Sequence, residues 1–324
     1  MSFWREKRVL VTGGQGFVGQ AVVKALIKRG CASIVSPSKS RYNLTKEDFV
    51  ERLFKLSQPD IVLHLAGTVG GIGVNKAFPG KFFYDNIMMG TLVMEYARRN
   101  NVKKVVALAA GCGYPDHLKP PYKESDFFSG LPDMNSVGYS MAKKNLVIQS
   151  LTYREQYGLD SSILLPANLY GPCDNFDLET SHVVPALVRK FVEAKNNGDK
   201  TVTVWGSGKA SREFLFVSDA AEAIVNMAEC GKRTGPFNLG TGKSTTIKEL
   251  VSTIKDIVGF EGDIEWDASK PDGQLERYYD MSELQKEIGY LPSTSLSQGI
   301  IETVEWFTNH YVEEPNKRWE AYAR

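Results

Sequence analysis

The sequence predicts an α/β protein with a doubly wound parallel sheet and a smaller C-terminal lobe. Three observations carry that expectation. Short β-rich runs alternate with helix-length segments through the first half. A glycine-rich turn joins the first such run to the first helix. The chain, at 324 residues, is long enough for one large domain or a main domain with an added lobe.

Taken in order, "KRVLVTG" reads as a strand and "FVGQAVVKALIKRG" as the helix that follows it. The strands "ASIVS", "DIVLHLAG" and "KKVVALAA" come next, with the helix "FFYDNIMMGTLVMEYARRN" between the last two. The helix "AKKNLVIQSLTYREQYG" then leads into "SSILLPANLYG", read as one strand. Beyond it the order loosens, and Pro, Gly, Asn and Asp cluster through "GPCDNFDLETSH". A dinucleotide-binding domain is therefore expected over 1–167 and a mainly substrate-binding lobe over 168–324, with segments around 213–240 returning to the first. The strand "PFNLG" and the helices "TIKELVSTIKDIVG" and "LSQGIIETVEWFTNHY" are shared between the two. There are no repeats and no low-complexity tract.

Composition excludes several classes of function. With 39 basic and 38 acidic side chains the net charge is +1, which gives no field for nucleic acid. No apolar run is long enough to span a bilayer and the start carries no signal-peptide pattern, so a soluble cytoplasmic protein is expected. Cys31, Cys112, Cys173 and Cys230 are scattered, without the spacing of a zinc site or a disulfide framework, and no metal is expected.

"VLVTGGQGFVGQAVVKAL" places Gly13, Gly16 and Gly19 between an apolar strand and a helix. Such glycines let the backbone approach a pyrophosphate at a helix N-terminus, as in a Rossmann-type dinucleotide site. The second strand ends in "SPSKSRYN" without the carboxylate that would hold an adenosine ribose. Ser38, Lys39 and Arg41 suit a 2′-phosphate instead, favouring NADP with NAD left open. Further on, "YSMAK" sets Tyr139 and Lys143 one helical turn apart. There an ammonium is expected to pull the phenol's pKa toward neutrality, so that it exchanges a proton as hydride moves.

On these motifs the chain resembles the extended short-chain dehydrogenase/reductase family. Within it, the chain is most similar to the GDP-L-fucose synthase branch, the GDP-4-keto-6-deoxymannose 3,5-epimerase/4-reductases. "HLAGTVGGI", "GCGYP", "NLYGPCDNF", "SHVVPAL", "VWGSG", "REFLFVSD" and "DASKPDG" carry that resemblance, in the family's order. It implies reduction at C4 of a GDP-sugar, a 6-deoxyhexose or heptose derivative, by NADP(H) with Tyr139 and Lys143, and epimerisation at C3 and C5 by Cys112 and His182. A keto group acidifies its neighbouring carbons, so a cysteine base and a histidine acid suit that inversion.

The resemblance also implies that Asn168, Val183, Lys190, Trp205, Arg212 and Asp272 line the nucleotide-sugar site, and that the protein is a homodimer. For Trp205 a place in the lobe core remains an alternative to base stacking, and for Asp272 a turn. One departure stands out. The family carries a serine or threonine two residues before the cysteine, where this chain has Ala110. Cys173 is another, standing where the family commonly has histidine. The missing hydroxyl keeps open a GDP-sugar C4 dehydrogenase, an epimerase with retained cofactor, and a catalytically weak nucleotide-sugar-binding regulator.

Overall fold

The computed structural model describes residues 3–270 and 274–311. The first half runs β1 (Arg8–Thr12), α1 (Phe17–Lys28), β2 (Ser33–Val35), α2 (Glu47–Ser57), β3 (Ile61–His64), α3 (Ile72–Ala77), α4 (Pro79–Arg99), β4 (Lys104–Leu108), α5 (Val137–Tyr157) and β5 (Ser161–Pro166). The second half continues with β6 (Asn168–Tyr170), α6 (Val183–Asn197), β7 (Thr201–Trp205), β8 (Ser211–Arg212), β9 (Phe214–Phe216), α7 (Val217–Cys230) and β10 (Gly235–Leu239). It ends with β11 (Thr245–Thr246), α8 (Ile247–Val258), β12 (Asp263–Asp267), β13 (Glu276–Arg277), α9 (Ser282–Ile288) and α10 (Leu296–His310).

Six strands form the central sheet in the order β10-β5-β4-β3-β1-β2, every pair parallel. Both faces are covered, which is why these strands are nearly continuous apolar runs. Alternate residues go to opposite faces: Val9, Val11, Leu63 and Val106 meet α1 and α7, whereas Leu10, Val62, Val105 and Ile163 meet α2, α4 and α5. The doubly wound α/β class expected from the alternating pattern is the one observed. From β1 the chain winds outward to β2 and then returns to β3 on the other side. That reversal opens a crevice at the carboxyl ends of β1 and β3.

One expectation needs correcting. "SSILLPANLYG" is two strands, β5 in the central sheet and β6 paired with β9. Ala167 between them donates its N–H to Leu239 O at 2.8 Å, while Asn168 donates to Glu213 O at 3.1 Å. The chain changes sheets there, one residue after Pro166, which has no N–H for a continuing ladder.

A separate core lies among Leu187, Val188 and Phe191 of α6, Val202 and Val204 of β7, Leu250 and Ile254 of α8, and Ile300 and Phe307 of α10. The parallel pair β7–β12 and the three strands β11-β8-β13 lie beside it. No described helix is long and apolar enough to cross a membrane.

Candidate active site

A cleft of about 1960 Å³ runs from the crevice above β1 to the second core, and nearly every functional candidate lines it. At one end, Gly13 turns the chain with φ of +73° and its α-carbon lies so close to Ala66 that a Cβ would come within 2.8 Å of the Ala66 nitrogen. A Cβ on Gly19 would fall on the Gly13 carbonyl oxygen. Gly16 is the N-cap of α1, whose first turn has no side-chain cap and no acidic residue. The first N–H groups of α1 are therefore left for an anion. Ser38 and Lys39 line the same end, whereas Arg41 lines a smaller adjoining hollow of about 330 Å³ with Ser38 and Tyr42. The Ser36 hydroxyl, beside Gly14, is buried without a hydrogen-bond partner. This donor set fits a dinucleotide phosphate chain and its ribose.

At the centre, α5 projects Tyr139 and Lys143 into the cleft, over the carboxyl end of β4. Lys143 Nζ donates to Leu108 O at 2.9 Å and lies 5.9 Å from the Tyr139 ring centroid. Burial pushes the ammonium's pKa down to about 8, against the opposing charge of Cys112. The Tyr139 phenol goes the other way from the expectation. Burial, then the nearby Cys112, raises its pKa. Lys143 makes its 2.9 Å bond to the backbone carbonyl of Leu108, and desolvation of the buried phenolate sets the direction.

Behind β4 the chain makes a single 3₁₀ turn, Gly111–Gly113, which places Cys112 in the cleft. Ser140 of α5 is fully buried, with its hydroxyl 3.2 Å from Cys112 Sγ and 3.1 Å from Cys112 O. Burial raises the thiol's pKa, while Ser140, Arg277 and Lys143 oppose the rise. Ala110, directly before this turn, lines the cleft and brings no hydroxyl to it. Tyr279 backs the turn from the other side, its hydroxyl against Gly111.

The second lobe supplies the far wall. His182 is the N-cap of α6 and is exposed along the cleft, yet walls surround its ring. That burial, then the Arg277 guanidinium, holds the imidazole below its usual range. Val183 and Asn168 line the cleft nearby, Asn168 fixed by its Nδ2 donating to Glu213 O at 3.1 Å. Arg212 donates to Gln274 O at 2.6 Å and stands in register with Arg277 across β8 and β13. Trp205 is 63% exposed at the cleft, which removes the core alternative. Lys190 and Lys270 lie 5.6 and 5.3 Å from its ring centroid, and Lys190 is anchored on Thr203 O. Asp272 lies outside the described residues.

The sequence pattern of the NAD dependent epimerase/dehydratase family matches residues 9–240. The chain belongs to that family. A relative in Arabidopsis thaliana, GDP-L-fucose synthase 1, is 37% identical over 94% of this chain and 94% of its own. Among solved structures, the NADP-bound GDP-L-fucose synthetase of Naegleria fowleri superposes with a TM-score of 0.89 at 29% identity, covering 96% of this chain and 97% of the other. A GDP-6-OMe-4-keto-L-xylo-heptose reductase from C. jejuni gives 0.89 at 28%, covering 96% and 100%.

Sequence reasoning missed three side chains at this family site. Ser140 and Arg277 flank Cys112, and Tyr279 packs against its turn. Ser140 was visible inside "YSMAK", but only the helix's rotation shows that it faces the sulfur. For Arg277 and Tyr279 no local signal exists, since they come from the end of β13 and the segment after it, far along the chain.

Proposed function

We propose that this protein is an NADP(H)-dependent oxidoreductase that reduces C4 of a GDP-4-keto sugar and inverts neighbouring carbons through Cys112 and His182. One observation carries the reading. Tyr139, Lys143 and Cys112 share a single cleft with His182, Arg212 and Trp205, reached from both halves of the chain. The coenzyme is assigned to the end formed by Gly13, Gly16, Gly19, Ser38 and Lys39, with Arg41 alongside. When bound there, its nicotinamide supplies the hydride.

The remaining chemistry belongs to the chain's own residues. Tyr139 keeps its proton, because burial and Cys112 disfavour the phenolate. It therefore acts as an acid toward the C4 oxygen as negative charge develops there, and as the base in the reverse direction. Lys143 is held by Leu108 O beside the phenol. Below a pH of about 8 it carries the charge that stabilises the same oxygen. Before reduction, Cys112, once its thiol has given its proton to solvent, takes the proton from the carbon next to the ketone, and the electron pair moves onto the carbonyl oxygen. His182, having taken up a proton from solvent against the burial that disfavours its charged form, protonates the enolate from the other face and inverts the centre. Arg212 and Lys190 suit the diphosphate, and Trp205 a base stacked on its open ring. The domain division near residue 167 follows from the same reading: the main sheet holds coenzyme and the later lobe holds the nucleotide.

The test is a panel of GDP-4-keto sugars incubated in deuterated water with NADPH or NADH. Consumption of NADPH with deuterium entering beside the keto carbon supports the assignment. Neither event with any GDP-sugar defeats it, and consumption without deuterium removes the epimerase half. Replacing Lys39 and Arg41 by alanine should weaken NADPH binding and spare NADH.

A further inference from the structure

Ser140 sits one helical position beyond Tyr139 and is completely buried. Its hydroxyl lies beside two acceptors of one residue, Cys112 O at 3.1 Å and Cys112 Sγ at 3.2 Å, and 3.2 Å from the Ser136 hydroxyl, where either oxygen can donate. A serine has one proton to give. A neutral thiol is a weak acceptor, so the carbonyl takes the bond while the sulfur is protonated. A thiolate is a charged acceptor, and charge-assisted bonds are about twice as strong as neutral ones. The bond therefore moves to the sulfur as the sulfur ionises, and no heavy atom need shift.

We propose that Ser140 is a positioning residue for Cys112, donating to its carbonyl when the sulfur is neutral and to the sulfur itself when it carries charge. Ser140 transfers no proton and stays a hydroxyl throughout. Its action is differential, stabilising only the form of Cys112 that removes a proton from carbon. The inference rests on Cys112 as the proton-transfer residue assigned above. Other groups face that sulfur too: Tyr139 and Lys143 from α5, and Arg277 and Tyr279 from the segment at β13. All of these remain in place when only the Ser140 hydroxyl is removed.

Ser140→Ala is a small change that removes only the hydroxyl. The first readout is the pH profile of Cys112 alkylation by iodoacetamide in the full chain, followed on the Cys112 peptide by mass spectrometry, and it needs no substrate. We expect the midpoint to rise by about one unit and alkylation at neutral pH to slow by about tenfold. A midpoint within about 0.3 unit of the parent protein overturns the proposal. The second readout divides turnover. Deuterium entry beside the keto carbon should fall by about tenfold, with hydride transfer within about twofold. Equal losses in both overturn it, because a purely structural role would produce them. If the midpoint shifts but the parent protein never exchanges deuterium, the epimerase reading fails and the Ser140 contact stands.

Discussion

At the scale of single residues, burial rather than charge pairing sets most of the site's protonation states. His64 shows the consequence away from the reacting groups. Its Nδ1 lies 2.7 Å from Thr12 Oγ1, and burial, then Lys143, pushes its pKa down to about 3. In the unfolded chain the imidazole titrates near its ordinary value, so as pH falls the unfolded state takes up a proton that the folded state refuses. The stability from keeping this ring neutral is complete above about pH 6.5 and is lost as pH falls toward about 3. We expect about 2 kcal/mol of it to be gone by about pH 5, and His64→Asn to flatten that part of the curve in urea titrations. An unaltered slope would show that other groups control acid stability.

Ala110 is the second case. On the proposed mechanism, with no hydroxyl there, charge on the reacting oxygen rests on Tyr139 and Lys143, so Ala110→Ser should speed single-turnover hydride transfer by roughly tenfold to a hundredfold. A fall in rate with coenzyme binding intact would mean that the pocket is shaped around alanine. "ALAAGCGYPD" revealed the missing group, but not that Ser140 faces the sulfur beside it.

At the scale of elements, α4 and α5 pack along one another, and both turn apolar residues to solvent as well as to the sheet. Phe83 and Tyr84 of α4 are exposed, and so are Met141, Ile148, Leu151 and Tyr157 of α5. A second copy covering these helices would complete a four-helix bundle, which accounts for apolar positions beyond a single stripe. We expect a dimer in light scattering, and Ile148→Asp with Leu151→Glu to give a folded monomer. A monomeric parent protein would refute the arrangement.

The apolar periodicity of these helices and the strand alternation were legible in the sequence, because they repeat every few residues. The break of "SSILLPANLYG" was not, since both halves are apolar and only their partners, β10 and β9, distinguish them. The Tyr139 phenol was misread for a related reason. Spacing places an ammonium one turn away, but the depth of both groups decides the pKa.

At the scale of the whole molecule, Glu213 ties the walls of the cleft together. It is 2% exposed, and its carboxylate accepts from the N–H groups of Thr241, Gly242 and Tyr279. Those donors lie after β10 of the central sheet and after β13 of the lobe strands. Glu213→Gln replaces an accepting oxygen with an NH₂ that faces other donors, so we expect a loss of roughly 3 kcal/mol and weaker GDP-sugar binding. Unchanged melting with unchanged affinity would show that the junction does not depend on this residue.

The sequence by itself determined the parallel sheet, the glycine turn between β1 and α1 and the one-turn spacing of Tyr139 and Lys143. Each is written in local periodicity or in a short motif, where covalent neighbours fix the geometry. The tertiary structure alone decided that Arg277 and Tyr279 approach the Cys112 turn, that Trp205 stands open between two lysines, and that the phenol is held protonated. Those depend on which distant segments meet and how much water they exclude, and desolvation is a property of the assembled cleft rather than of any stretch of chain.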